Sequence, residues 1–213
     1  FERHEERYYQ EQIRGVERPL RPLFLARPMH SQFALLSFFA TADNPAREFL
    51  RREMRIVGVD GALFALRQPY WSKSRKPSLS DRVDARFWGA AGKVRPFLEK
   101  LFENSFAPMA FLERVRSGLA RSEAVERRIC YVADETGLSN IGADLSNKEF
   151  FARLESLVFS SLVSSDGDDV RIWLRLEGVP EPATFLDLAE GERQLLTVLG
   201  LLRFTAEDEA LFV

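Results

Sequence analysis

Residues 184–204 constrain this chain more than any other stretch. A loop from Thr184 to Glu192, with its glycine at Gly191, feeds a run in which Leu195, Leu196, Val198, Leu199, Leu201, Leu202 and Phe204 put apolar side chains on nearly every side of a helix. Such a helix is expected to be anchored in a core, which holds its N-terminal turn fixed at the surface. The first N–H groups of a helix lack intrahelical partners, and a glycine lets another molecule come close to the backbone. A turn of this kind suits an anion such as a phosphate. An acidic turn, Glu207-Asp208-Glu209, then leads into the apolar Leu211-Phe212-Val213.

The run Leu188-Ala189-Glu190-Gly191-Glu192-Arg193-Gln194-Leu195-Leu196 resembles the signature motif of ABC-type ATPases. The form is the Leu-Ser-x-Gly-Glu-(Lys/Arg)-Gln of the SMC-like, AAA-family branch that accompanies restriction and other antiphage systems. The resemblance implies that this motif closes over ATP held by a second subunit, with ATP and Mg²⁺ as cofactors. Leu188 would pack the loop, Gly191 would present its N–H to the γ-phosphate, and Glu192 would order the loop and reach toward the ribose or the partner. Glu190 occupies the variable position. Ala189 departs from the pattern, which has a serine there. The missing hydroxyl removes a phosphate contact worth about 1.5–3 kcal/mol, so slow or partner-dependent hydrolysis is expected.

The same resemblance requires a Walker A loop, Gly-x-x-x-x-Gly-Lys-(Ser/Thr), to cradle the β- and γ-phosphates. The chain has none. Gly89-Ala90-Ala91-Gly92-Lys93-Val94 is two residues short and lacks the Mg²⁺-binding hydroxyl, so it reads as a helix start. Walker A is expected upstream of Phe1 and the Walker B carboxylates just after Val213, which makes these residues the middle of an ATPase, with no catalytic residue of their own. Gln32, after an apolar strand at Leu23–Ala26 and with His30 beside it, is the candidate for the Q-loop glutamine. The plain alternative is a helix-start residue making local bonds.

A net charge of −2 hides an asymmetry. Residues 67–100 carry nine Lys/Arg against three Asp/Glu, whereas residues 134–213 carry six against sixteen. In the basic part, Tyr70, Trp71, Lys73, Arg75, Lys76, Arg82, Arg86 and Trp88 combine stacking rings and cations, a mix that suits a DNA or RNA strand. Docking of this segment on the acidic half is the competing reading. Cys130 stands alone and, with only His4 and His30 as further soft ligands, falls short of a zinc site, so no metal site is expected. A single cysteine and the absence of any run near the ~18 apolar residues of a bilayer span point to a cytoplasmic protein without a membrane segment.

Along the chain, residues 1–22 read as a linker or short helix. Residues 23–180 read as a partial core strand plus an inserted helical lobe, and 181–213 as the signature helix and the start of the Walker B strand. The lobe is expected to hold helices from about Ser31, from Asn44-Pro45 to about Arg52, from Gly92 to Phe102, and from Pro108 to Leu119. A further helix opens on the capping box Ser146-Asn147-Lys148-Glu149. Met54–Val59 and Ala62–Leu66, joined by Asp60-Gly61, are expected to form a β-hairpin on a type I′ turn. Arg128–Val132 and the alternating Val170–Leu176 are expected strands. The fold class is thus α/β (α+β). The function expected from the resemblance is ATP-dependent dimerisation, as a homodimer, that controls a nuclease or other effector acting on nucleic acid. The alternative is a non-catalytic protein- or nucleic-acid-binding module whose signature-like loop is structural.

Overall fold

A computed structural model of the chain describes residues 23–24, 26–41, 45–67, 94–105, 127–205 and 211–212. Its centre is β2 (Ile56–Arg67), a continuous strand of 12 residues. It pairs antiparallel with β3 (Arg127–Val132) on one side and β4 (Val170–Leu176) on the other. The short β5 (Ala183–Thr184) extends the sheet to the order β3-β2-β4-β5. The hairpin expected at Asp60-Gly61 does not form. A type I′ turn needs positive φ at both central residues, and neither Asp60 nor Gly61 has it. Instead the β2–β4 register slips between Ile56 and Gly58 and again between Val59 and Gly61, the mark of β-bulges. The glycines serve close approach: a Cβ on Gly61 would lie 2.5 Å from the Tyr131 hydroxyl, and one on Gly58 would collide with Arg175 and Glu135.

Among the described residues six helices pack around this sheet: α1 (Pro28–Phe39), α2 (Pro45–Met54), α3 (Val94–Glu103), α4 (Glu135–Gly142), α5 (Asn147–Phe159) and α6 (Glu190–Thr205). Their starts follow local chemistry. Pro28 takes the first position of α1, where its missing N–H costs nothing, and the Arg27 N–H donates to His30 Nδ1 (2.9 Å). Asp134 caps α4 by accepting from Gly137 N (2.9 Å). In α5 the capping box is complete, with Glu149 N donating to Ser146 Oγ (3.2 Å) and Ser146 N to Glu149 Oε2 (2.9 Å). The end of α1 is closed from outside by Arg47, which donates to the carbonyls of Phe38 (3.1 Å) and Phe39 (2.7 Å).

α1 is the core helix, buried from Met29 to Phe39, and α6 lies along it. A Cβ on Gly200 of α6 would collide with the Ala34 side chain of α1, so the two backbones meet as closely as packing allows. Leu196, Leu201 and Phe204 are buried there, and Phe204 sits 5.0 Å from both Phe38 and Phe151 between ring centroids. Each such side chain contributes about 1.5–3 kcal/mol. The other side of α6 is open: Leu195, Val198 and Leu202 are 38–53% exposed, so the helix is anchored on one side and not all round. Outside the antiparallel sheet, β1 (Leu23–Phe24) and β6 (Leu211–Phe212) pair in parallel, Leu23 with Leu211 and Phe24 with Phe212. Among the described residues no helix is long and apolar enough to cross a membrane.

Candidate functional site

The signature segment forms the start of α6. The Ala189 carbonyl accepts from Glu192 N (3.0 Å) and Arg193 N (3.1 Å), which makes Ala189 the residue that caps the helix. Its methyl group offers no acceptor to the first turn. Glu192 nevertheless folds back, and its Oε2 accepts the Ala189 N–H at 2.7 Å. This is one half of a capping box; the other half, which Ser146 Oγ supplies in α5, is missing here. The Glu190 carboxylate is engaged by Arg193 Nη2 (2.7 Å) and Gln194 Nε2 (3.3 Å). Just before it, Asp187 fastens the loop by accepting from Thr184 N (2.7 Å) and Thr184 Oγ1 (2.8 Å), and these bonds hold its carboxyl below the ordinary carboxylate range. Leu188 is buried.

Gly191 is the outlier. It is exposed, its φ is not positive, and a Cβ built on it would meet nothing within 4 Å. Every other described glycine of the chain either crowds a neighbour or has a neighbour within that distance. Nothing among the described residues therefore asks for glycine at 191.

Gln32 lies in the second turn position of α1, and its bonds are long-range, not local as a helix-start residue's would be. Its Nε2 donates to the carbonyls of Gly167 (3.3 Å) and Val170 (3.2 Å), which pins the turn before β4 to α1. Its Oε1 is buried without a hydrogen-bond partner among the described residues. Gln32 and Glu190 line one cleft of about 1340 Å³, together with Arg171, Trp173, Arg193 and Val198. The signature segment thus gives Glu190, Arg193 and Gln194 to the cleft, while Leu188, Ala189, Gly191 and Glu192 lie outside it.

The cleft carries both signs of charge. Arg67 at its wall is paired with the fully buried Asp169 (2.5 Å). Burial pushes Asp166 up, but the bonds from Ser164 and Asp168 N and the nearby Arg67 outweigh it and hold the carboxyl below its ordinary value. His30 does not reach the cleft. It is 1% exposed, with Nε2 3.3 Å from Glu155 Oε1, and since Nδ1 accepts a backbone N–H the ring proton is assigned to Nε2. The candidate nucleic-acid residues Trp71, Lys73, Arg75, Lys76, Arg82 and Arg86 lie outside the described residues, as does the expected helix from Pro108 to Leu119. Among the described residues no group of three or more His, Cys, Asp or Glu could hold a metal. The motif reading did not single out Arg171 or Trp173, whose place in the cleft depends on a strand edge no short motif reveals.

Neither the chain nor its fold finds a match among protein-family models, curated proteins or solved structures.

Proposed function

We propose that this chain is part of an ABC-type, SMC-like ATPase in which the first turn of α6 acts in trans on ATP bound by a second copy. The observation that carries the reading is Gly191. An exposed glycine at a helix start with free space around it has no reason among the described residues to be glycine, and close approach by another molecule supplies one. The backbone N–H at Gly191 would face the terminal phosphate, with Glu192 keeping the loop in place through its bond to Ala189 N. Bound ATP with its Mg²⁺ would supply the phosphoanhydride whose cleavage resets the dimer.

The parallel pairing of β1 with β6 adds support. A lobe inserted between two neighbouring strands of a parallel sheet must return beside the strand it left, and residues 25–210 do so. The homodimer, and a nuclease or other antiphage effector that it controls, belong to the same proposal. The test is sedimentation of the ATP-binding polypeptide with and without ATP and Mg²⁺. Gly191→Asp should leave the melting temperature within about a degree, because surface changes are near neutral, and weaken ATP-dependent dimerisation by at least about tenfold. Unchanged dimerisation in a folded Gly191→Asp protein, or a polypeptide with no Walker A loop anywhere in its length, refutes it.

A further inference from the structure

We infer that the cleft beside α6 is a docking groove for an extended peptide segment of a partner protein, one carrying an aliphatic side chain and an acidic residue. The inference goes beyond the ATPase proposal and does not depend on it. Two buried polar atoms of cleft residues lack hydrogen-bond partners among the described residues, the acceptor Gln32 Oε1 and the donor Arg193 Nε. Gln32 is 6% exposed, so its free acceptor is held at depth. Leaving both unpaired is costly, and a ligand that offers an N–H and a C=O together answers both. An extended peptide backbone does this, whereas the middle of a helix has already spent those groups.

The sheet points the same way. β4 pairs with β5 only at Trp173 and Leu174, so among the described residues no strand lies beside Ile172, which is in the cleft wall, whereas the Val170 N–H on that side already donates to the Gly167 carbonyl (3.1 Å). The Val170 carbonyl is likewise taken, by Gln32 Nε2 (3.2 Å), which leaves Ile172 as the edge position a strand could join. An open strand edge next to unpaired side-chain groups is the arrangement that strand addition uses. The rim supplies the anchors. Leu186 is 70% exposed and Val198 53% exposed, a seat for one aliphatic side chain. Arg171 is exposed and makes no ion pair among the described residues, which selects an acidic residue. Asp166, Asp168 and Glu190 also line the cleft and repel a phosphodiester backbone, so a nucleic acid is disfavoured.

The probe is a displayed library of random twelve-residue peptides selected on the 213-residue chain, with winners resynthesised and titrated by fluorescence anisotropy. Enriched peptides should share an aliphatic and an acidic position. Val198→Lys, at an exposed site that leaves the fold intact, should weaken them by at least about tenfold, and Arg171→Glu should do the same for acidic peptides while relaxing the preference for them. Gln32→Leu should weaken binding without changing which side chains are preferred, since it removes a backbone contact. No enrichment over a control protein, equal affinity for Val198→Lys, or displacement of the peptides by single-stranded DNA overturns the inference.

Discussion

Ala189 offers the sharpest test, because the fold and the proposed activity ask different things of one atom. In α5 the box of Ser146 and Glu149 makes both reciprocal bonds, at 3.2 and 2.9 Å. At the start of α6 only the return half exists, Glu192 Oε2 to Ala189 N at 2.7 Å. Ala189→Ser adds the missing acceptor with its partner already in position. An N-cap serine in place of alanine stabilises by about 0.5–2 kcal/mol. Glu192 N already reaches the Ala189 carbonyl at 3.0 Å, so the new bond is shared and the gain belongs at the low end, about 0.5–1 kcal/mol. For a chain of this size that is a rise of about 1–4 °C in melting temperature. Ala189→Asp should cap about as well. Turnover of the ATP-binding polypeptide separates the two substitutions. A serine hydroxyl aimed at a partner's phosphate should raise it by about 10–100-fold, and an aspartate, stabilising or not, should lower it by like-charge repulsion. Differential scanning calorimetry paired with a phosphate-release assay reads both quantities. If serine and aspartate both stabilise yet turnover is the same in all three proteins, the first turn of α6 does not meet a phosphate and the trans reading fails.

Three further outcomes follow from the packing. Glu135 binds Arg47 (3.2 Å), Arg175 (3.2 Å) and Val59 N (3.3 Å), so Glu135→Ala should cost about 1–3 kcal/mol in urea unfolding, with Glu135→Gln milder; a loss under about half a kcal/mol contradicts its role as a clasp between α4, α2 and the sheet. Gly200→Val drives a branched side chain into Ala34 and should cost at least about 1–3 kcal/mol, whereas Gly191→Ala, facing open space, should be neutral or gain up to about 1 kcal/mol. Burial, helped by Asp60 and Asp134, pushes the Tyr131 phenol above its ordinary value of 10.0. The unfolded chain then ionises first, so this stabilisation is full below pH 10 and is lost as pH rises through the folded value; Tyr131→Phe should make unfolding less steep in alkali, and an unchanged pH profile refutes it.

Local signals were readable in the sequence and non-local ones were not. The Ser146 box, the helix at Pro45 and the strand Val170–Leu176 stand where capping and alternation put them. Asp60-Gly61 misleads because a turn and a bulge use the same residue types. What decides is whether neighbours lie on both sides, and β3 and β4 come from residues far along the chain. The helix α4 was missed altogether: its cap is a single Asp134 and its buried residues are only Leu138, Ile141 and Gly142. The part of Gln32 that matters, its bonds to Gly167 and Val170, spans more than 130 residues and leaves no periodic trace.

α6 shows why a motif alone leaves the arrangement open. Seven apolar residues after the glycine loop read as a helix buried on all sides, yet three of them face out, because Gly200 against Ala34 fixes which side meets α1. That contact has a mechanical consequence. A glycine with no room for a Cβ prevents α6 from sliding over α1 without a clash. Gln32 on α1 and Gly191 on α6 therefore belong to one body. Anything that seats in the cleft against Gln32 and Arg193 bears on the same helix whose first turn carries Gly191. Coupling between the two faces would then require α1 and α6 to move together against the sheet, with the Gln32 bonds to Gly167 and Val170 as the joint that gives.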